Sequence, residues 1–151
     1  MVESNGSDFL GVKIDRKSDG LIHLTQPHLI NSILKDLHLL NTGSRPPTVK
    51  MVLMATSRVL SKCKDSEPHD GHFDYHSVIG KLLYLEKSTR PDLAYGVHQY
   101  ARFAANPHQD HAKAVKWIGR YFLHTKDKGM MILCPTVQSF DCYVDADFSG
   151  N

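Results

Sequence analysis

The segment from Asn106 to Gly129 constrains the fold of this chain most strongly, because it has the pattern of one long amphipathic helix. Asn106 can cap the helix, Pro107 suits its first position, and Gln109 completes an Asn-x-x-Gln capping box. Gly129 is predicted to stop the helix. The face predicted to lie in the core consists of His111, Ala114, Val115, Ile118, Tyr121 and Phe122.

The opposite side of this helix is basic. Lys113, Lys116, Arg120 and His124 align there as a cationic ridge. Cations at helical spacing can follow the phosphates of a nucleic-acid backbone without reading its sequence. The solvated face of an ordinary helix has the same pattern, so both interpretations stay open. Residues 81–128 hold nine Lys or Arg against four Asp or Glu, in a chain whose formal net charge is +2.

A β-hairpin and a first helix are predicted near the start of the chain. Residues 9–14 and 21–24 are short β-favouring runs, and Gly20 between them can supply the positive φ that a hairpin turn often needs. Thr25 can cap the following helix, with Pro27 in its first turn. The sequence therefore predicts strand, strand and helix in that order.

The middle of the chain is predicted to hold a long connection followed by helices. Residues 41–73 lose any periodic pattern and indicate a mobile loop. Asp74 is predicted to begin a helix that runs through Leu85. The spacing of Thr89 and Asp92 predicts a capping box for the next helix.

Composition places the chain among single globular domains that are not secreted. Its 151 residues are 41% hydrophobic, which suits one domain. No apolar run approaches the length of a membrane span and no signal peptide is apparent, so an intracellular location, cytoplasm or nucleus, is expected without membrane contact. Cys63, Cys134 and Cys142 form no metal or disulfide pattern and are expected to be free thiols.

Two groups of residues could bind metal ions. Residues 130–134 and 140–146 are predicted strands, and in the second Asp145 shares a face with Asp141 and, two residues on, Asp147. Carboxylates at i and i+2 can hold a divalent cation, or they can simply lie on the wet face of an edge strand. A cluster of His69, Asp70, His72, Asp74 and His76 could bind a transition metal, although a surface loop is the expected outcome.

Several motifs together resemble the thumb and connection of copia-type retrotransposon reverse transcriptases. They are residues 75–85 (YHSVIGKLLYL), residues 89–95 (TRPDLAY), Asn106-Pro107 with His111, and residues 121–125 (YFLHT). Residues 9–14 (FLGVKI) resemble the last palm hairpin of that family, and residues 143–148 (YVDADF) resemble the first strand of its RNase H domain. Ala112 and Phe148 depart from the family, which commonly has Trp at both places.

The resemblance implies an α+β fragment in three parts. Residues 1–24 would be the end-of-palm β-hairpin, and residues 25–128 a thumb/connection-like bundle of three to four helices. Residues 129–151 would be the truncated start of an RNase H-like domain. The expected partners within the polyprotein are the palm and fingers on one side and the remaining RNase H portion on the other.

The resemblance also assigns roles to residues. Lys81, Lys113, Lys116 and Arg120 would contact the backbone of a template–primer duplex or RNA–DNA hybrid, with Lys81 near the minor groove, while Trp117 and Tyr121 would pack or contact sugars. Asp145 would be one ligand of an incomplete RNase H-type site that uses Mg²⁺ in the intact parent enzyme. The chain has no Tyr-x-Asp-Asp motif, so we expect no cofactor and no polymerase activity from this chain alone. The alternatives are a truncated relic without activity and a protein-interaction module.

Overall fold

The computed structural model describes residues 7–40 and 67–133, which form a four-stranded antiparallel sheet and four α-helices. The strands are β1 (Ser7–Phe9), β2 (Val12–Arg16), β3 (Ile22–Thr25) and β4 (Met130–Ile132), in the sheet order β1-β2-β3-β4. The helices are α1 (Pro27–Asp36), α2 (Tyr75–Ser88), α3 (Ala94–Ala101) and α4 (Gln109–Thr125), and a 3₁₀ turn at Pro91–Leu93 leads into α3. The predicted α+β class is confirmed.

The predicted N-terminal hairpin is present as the pairing of β2 with β3, and Gly20 has the expected positive φ of 83°. The single strand predicted over residues 9–14 is wrong. Leu10 and Gly11 have φ values of 50° and 76° and form a two-residue turn that joins β1 to β2. Two consecutive left-handed residues match the right-handed twist of the flanking strands, which is why such turns close hairpins.

The last strand joins the N-terminal sheet. Met130 and Ile132 of β4 pair with Leu24 and Ile22 of β3, although these strands lie more than a hundred residues apart in sequence. The hairpin and the predicted strand at residue 130, which the sequence assigned to different domains, therefore share one sheet. The second predicted strand, at residues 140–146, lies outside the described residues, as do the three cysteines.

The helix caps agree with the sequence at one position and differ at others. Asp74 caps α2, and its Oδ1 accepts a hydrogen bond from the backbone N–H of Ser77 at 3.0 Å. Thr25 ends β3 instead of capping α1, whose N-cap is Gln26. Thr89 does not cap the next helix either, since the N-cap there is Arg90, and the Thr89 hydroxyl donates to Oε1 of Gln26 at 2.9 Å.

Both predicted ends of α4 are displaced. The N-cap is His108, whose backbone N–H donates to Nδ1 of His111 at 3.0 Å, so the Asn106–Gln109 box is wrong. The helix ends at Thr125, before Gly129. A Cβ added to Gly129 would lie 2.0 Å from the backbone oxygen of Leu24, so this glycine permits a close approach between chain segments.

The hydrophobic core is helical. In the described residues it consists of side chains from the four helices and their flanking segments, and no strand residue belongs to it. Val78, Leu82, Ile118 and Phe122 are fully buried there. The sheet therefore contributes no side chain to the hydrophobic core that the structure describes.

A buried arginine joins the helices. Arg90, 1% exposed, holds both carboxylate oxygens of Asp92 with Nε and Nη2 at 2.9 and 2.8 Å. Its Nη1 donates to the backbone oxygen of Thr125 at 2.9 Å, and its guanidinium lies 5.5 Å from the ring centroids of Tyr121 and Phe122. Arg90 therefore fastens the end of α4 to the junction between α2 and α3.

Candidate nucleic-acid interface

The cationic ridge lies on the side of α4 away from its buried face. His111, Val115, Ile118 and Phe122 are buried on one side of this helix, as the periodicity predicts. Ala114, predicted on the same face, is only partly buried. On the other side Lys113 and His124 are exposed, and Lys116 and Arg120 are half-buried. The four cations thus lie on one helix whose other face is fixed in the core.

Each ridge cation has a different local environment. Nζ of Lys113 lies 3.0 Å from Oδ1 of Asp110, one helical turn earlier. Nζ of Lys116 lies 5.6 Å from the centroid of the Phe73 ring. Nε of Arg120 is buried with no hydrogen-bond partner in the part of the chain that the structure describes. The exposed Lys113 pair is of a kind that contributes little stability, so a phosphate can replace the carboxylate at small cost.

Lys81 lies away from the ridge, at the contact between α1 and α2. Its Nζ lies 2.6 Å from Oδ2 of Asp36 and 2.9 Å from Oγ of Ser32. Both members of the ion pair are about one-third exposed. Lys81 would have to leave Asp36, or share it, to contact a phosphate.

The aromatic residues of α4 are buried or half-buried. The Tyr121 hydroxyl donates to Oδ2 of Asp92 at 3.2 Å, and the residue is 91% buried. Burial, followed by the nearby Asp92 carboxylate, raises the pKa of Tyr121. Tyr121 therefore packs, which is one of the two predicted roles. Trp117 is half-buried.

The histidine cluster before α2 has structural partners. Nε2 of His69 lies 2.8 Å from the Phe73 carbonyl oxygen, and the His72 ring lies 5.0 Å from that of His38. A backbone hydrogen bond from His72 lowers the pKa of Asp70, helped by Gln109. Within residues 7–40 and 67–133, no three metal-ligating side chains are grouped around a possible ion position.

The segment from Glu67 to Phe73, here called the strap, fixes the start of α4, and the sequence did not reveal this contact. The backbone N–H of His69 donates to Pro107 at 3.0 Å, and the N–H of Gln109 donates to Glu67 at 2.9 Å. Phe73, at the end of this strap, is buried beneath Lys116. No local pattern marks such a contact, because its two partners lie about forty residues apart in sequence.

The other predicted site residue, Asp145, lies outside the described residues. The structure therefore gives no geometry for the acidic strand or for a bound Mg²⁺ ion. No helix in the described parts of the chain is long and apolar enough to cross a membrane.

Comparison with known proteins gives a consistent set of relatives. The chain is 31% identical over 143 residues to the retrovirus-related Pol polyprotein from transposon RE1 of Arabidopsis thaliana, covering 95% of this chain and 9% of the polyprotein. It is 29% identical over 148 residues to the Pol polyprotein from transposon TNT 1-94 of Nicotiana tabacum, covering 94% of this chain and 11% of the relative. This chain thus spans about a tenth of the length of either polyprotein.

A shorter relative is of another kind. The secreted RxLR effector protein 161 of Plasmopara viticola is 35% identical over 77 residues, which cover 51% of this chain and 54% of the effector. No protein-family model matches the chain. No solved structure matches it either.

Proposed function

The chain corresponds to a segment of a copia-type retrotransposon Pol polyprotein, and we propose that it grips the template–primer duplex of the parent enzyme through the sugar–phosphate backbone. The observation that carries this proposal is the ridge of Lys113, Lys116 and Arg120 on a helix anchored along its opposite face. A fixed row of cations can hold a duplex without reading its bases.

Rigidity of α4 is the physical support for this function. Arg90 fixes the C-terminal end of the helix and the Glu67 strap fixes its N-terminal end. Cations held on a rigid support lose less conformational freedom on binding than cations on a loop. Lys81 is a secondary contact in this proposal, because binding through it has to compete with Asp36.

The test is the salt dependence of binding to an RNA–DNA hybrid. If three ridge cations each contact a phosphate, log K should fall against log salt with a slope of roughly −3. The variant Lys113→Ala/Lys116→Ala/Arg120→Ala should bind weakly and with a nearly flat slope. The matched control is Lys17→Ala/Lys35→Ala/Lys87→Ala, which removes the same charge at exposed positions on other elements.

The control distinguishes binding at the ridge from nonspecific electrostatic attraction to the whole protein. The proposal requires the control to keep most of the slope. Equal losses in the two triple variants would mean that any positive charge serves, and a folded protein that does not bind the hybrid would remove the proposal altogether. Catalysis is assigned to the missing parts of the polyprotein, since the whole sequence lacks a Tyr-x-Asp-Asp motif.

The sheet supports a second function, docking of a neighbouring part of the polyprotein. Strand register places one set of apolar side chains on the same face of the sheet. None of them is fully buried, and Phe9 is 66% exposed. The set is Phe9, Val12, Ile14, Ile22, Leu24, Met130 and Ile132. Arg16, opposite Ile22, shares this face, and a partly open apolar surface with a charged residue at its margin is characteristic of an interface.

Copurification tests this docking function. The chain would be coexpressed with the reverse transcriptase portion of its own element, with Phe9→Asp/Ile132→Asp as the variant on the apolar face. The control, Lys13→Asp/Met131→Asp, alters exposed residues on the opposite face of the same strands. Loss of copurification in the first variant alone supports docking through the apolar face. Equal behaviour of the two variants would contradict it.

A further inference from the structure

A second exposed stripe lies on helix α3. Tyr95, His98 and Arg102 are the three exposed residues from the start of this helix to its C-cap. Their spacing of three and four residues places them on one face, over roughly 10 Å of helix axis. Gly96, Val97 and Tyr100 are buried on the other side, so the stripe has a fixed support.

Tyr95 presents a bare aromatic ring. It is 67% exposed, and no hydrogen bond or ring contact involves it in the described residues. An exposed tyrosine that supports neither the core nor a hydrogen bond has both the ring face and the hydroxyl available. Every nucleic-acid base has a π-face, so such a ring can stack an unpaired base of any identity.

No residue of the stripe itself is acidic, although the buried carboxylate of Glu86 lies beside His98. Residues 93–105 contain no Asp or Glu. Arg102 uses one guanidinium nitrogen to reach Oε1 of Gln99 at 3.3 Å, and most of its five N–H donors stay available for a phosphate. Helix α3 contains no Lys that would compete with Arg102 for a phosphate and no Glu that would pair with Arg102.

A buried carboxylate stands behind the middle of the stripe. Glu86 of α2 is only 6% exposed, and its Oε1 has no hydrogen-bond donor among the described residues. That oxygen lies 3.3 Å from Nε2 of His98, whose side chain is 59% exposed. The His98 ring therefore lies beside a buried carboxylate in the middle of the stripe. His98 lies between Tyr95 and Arg102, with its Nε2 directed at Glu86.

We propose that the α3 stripe binds single-stranded nucleic acid, with a base stacked on Tyr95 and a phosphate held by Arg102. A duplex does not suit the site, because its base faces are already stacked and Tyr95 would be left without a partner. The site lies on a different helix from the ridge and does not depend on the duplex-binding function proposed above.

The test measures fluorescence anisotropy of labelled oligo(dT) and oligo(rU) of about 12 nucleotides at low salt. We expect Tyr95→Ala and Tyr95→Leu each to weaken binding about ten-fold, whereas Tyr95→Phe keeps the ring and binds like the unaltered chain. Arg102→Gln should also weaken binding and reduce its salt dependence. The control Lys35→Gln removes one exposed charge from α1 and should have only a small effect.

Three results would overturn the proposal. One is the absence of oligonucleotide binding by the folded chain. Another is equal binding by Tyr95→Leu and Tyr95→Phe, since that would remove the role of the aromatic face. The third is loss of oligonucleotide binding in the ridge variant Lys113→Ala/Lys116→Ala/Arg120→Ala, because single strands would then bind to the ridge. The RNA–DNA hybrid is measured in parallel, so failure at α3 is distinguishable from failure at α4.

Discussion

At the scale of single residues, Arg90 connects parts of the chain that are distant in sequence. It is fully buried, yet its guanidinium is paired with Asp92 and bonded to Thr125, 35 residues further on. A buried charge is tolerated only when its partners are complete, and the planar fork of arginine suits several acceptors at once. The planar guanidinium reaches Asp92 and Thr125 together, and this holds the end of α4 in place.

We expect Arg90→Lys to lower the free energy of unfolding by about 3 kcal/mol, because one ammonium cannot reach Asp92 and Thr125 together. Chemical denaturation followed by circular dichroism measures this change. Arg16→Lys, an exposed change in β2, should stay within about 0.5 kcal/mol of the unaltered chain. Similar stability for the two variants would mean that the guanidinium fork is not needed.

Asp92 should make part of this stability depend on pH. Burial alone would raise its pKa, but the hydrogen bonds and charge of Arg90, with a further bond from Tyr121, lower it from the ordinary value of 3.8. The carboxylate therefore stabilises the folded state above about pH 4, and this contribution is lost as the pH falls through the lower folded pKa. Denaturation at a series of acid pH values should show a shallower decline for Asp92→Asn. An unchanged decline would assign acid sensitivity to other carboxylates.

At the scale of elements, the pairing of β3 with β4 depends on a glycine. Gly129 lies so close to the Leu24 carbonyl that a Cβ could fit only if the backbone moved. Gly80, in the middle of α2, is exposed and has nothing within 4 Å of the same position. A side chain is therefore excluded by a close contact at Gly129 but not at Gly80.

We expect Gly129→Ala to destabilise the protein by about 2 kcal/mol, since the added methyl overpacks a backbone contact. Gly80→Ala should instead stabilise it by about 0.5–1 kcal/mol through helix propensity. Thermal or denaturant unfolding of both variants measures the difference. Stabilisation by both substitutions would show that β4 can move away from β3 without cost.

The elements that the sequence predicts well are those fixed by neighbours along the chain. Asp74 caps α2 and Gly20 turns the hairpin, because each acts within three or four residues. Thr89 satisfies every local requirement of a cap, yet it bonds to Gln26, 63 residues away. A local pattern cannot decide between two hydrogen-bond partners when one of them comes close only after folding.

The candidate site shows the same limit. Periodicity places the ridge on the outer side of α4, as the structure has it. It does not show that Asp36 pairs with Lys81, or that the strap at Glu67 fixes the helix start. Both contacts join segments separated by tens of residues, and the pairing of β3 with β4 is of the same kind.

At the scale of the whole molecule, helices and sheet should differ in stability. The described core contains helical side chains and no strand residue, so opening the sheet exposes little of it. We expect backbone amides of β1 to β4 to exchange hydrogen faster than those of α2 and α4 under native conditions. Hydrogen exchange read by mass spectrometry or NMR measures this. Equal opening free energies in sheet and helices would indicate one cooperative unit.

The partly exposed apolar face of the sheet should affect how long the segment survives in a cell. Molecular chaperones and proteases act on species that expose apolar strands, and their action removes such species continuously. A copy of this segment made without its neighbours would carry Phe9 and Ile132 uncovered at opposite edges of the sheet. If the proposed docking covers this face, the lifetime of the segment should be longer with the reverse transcriptase portion present than without it.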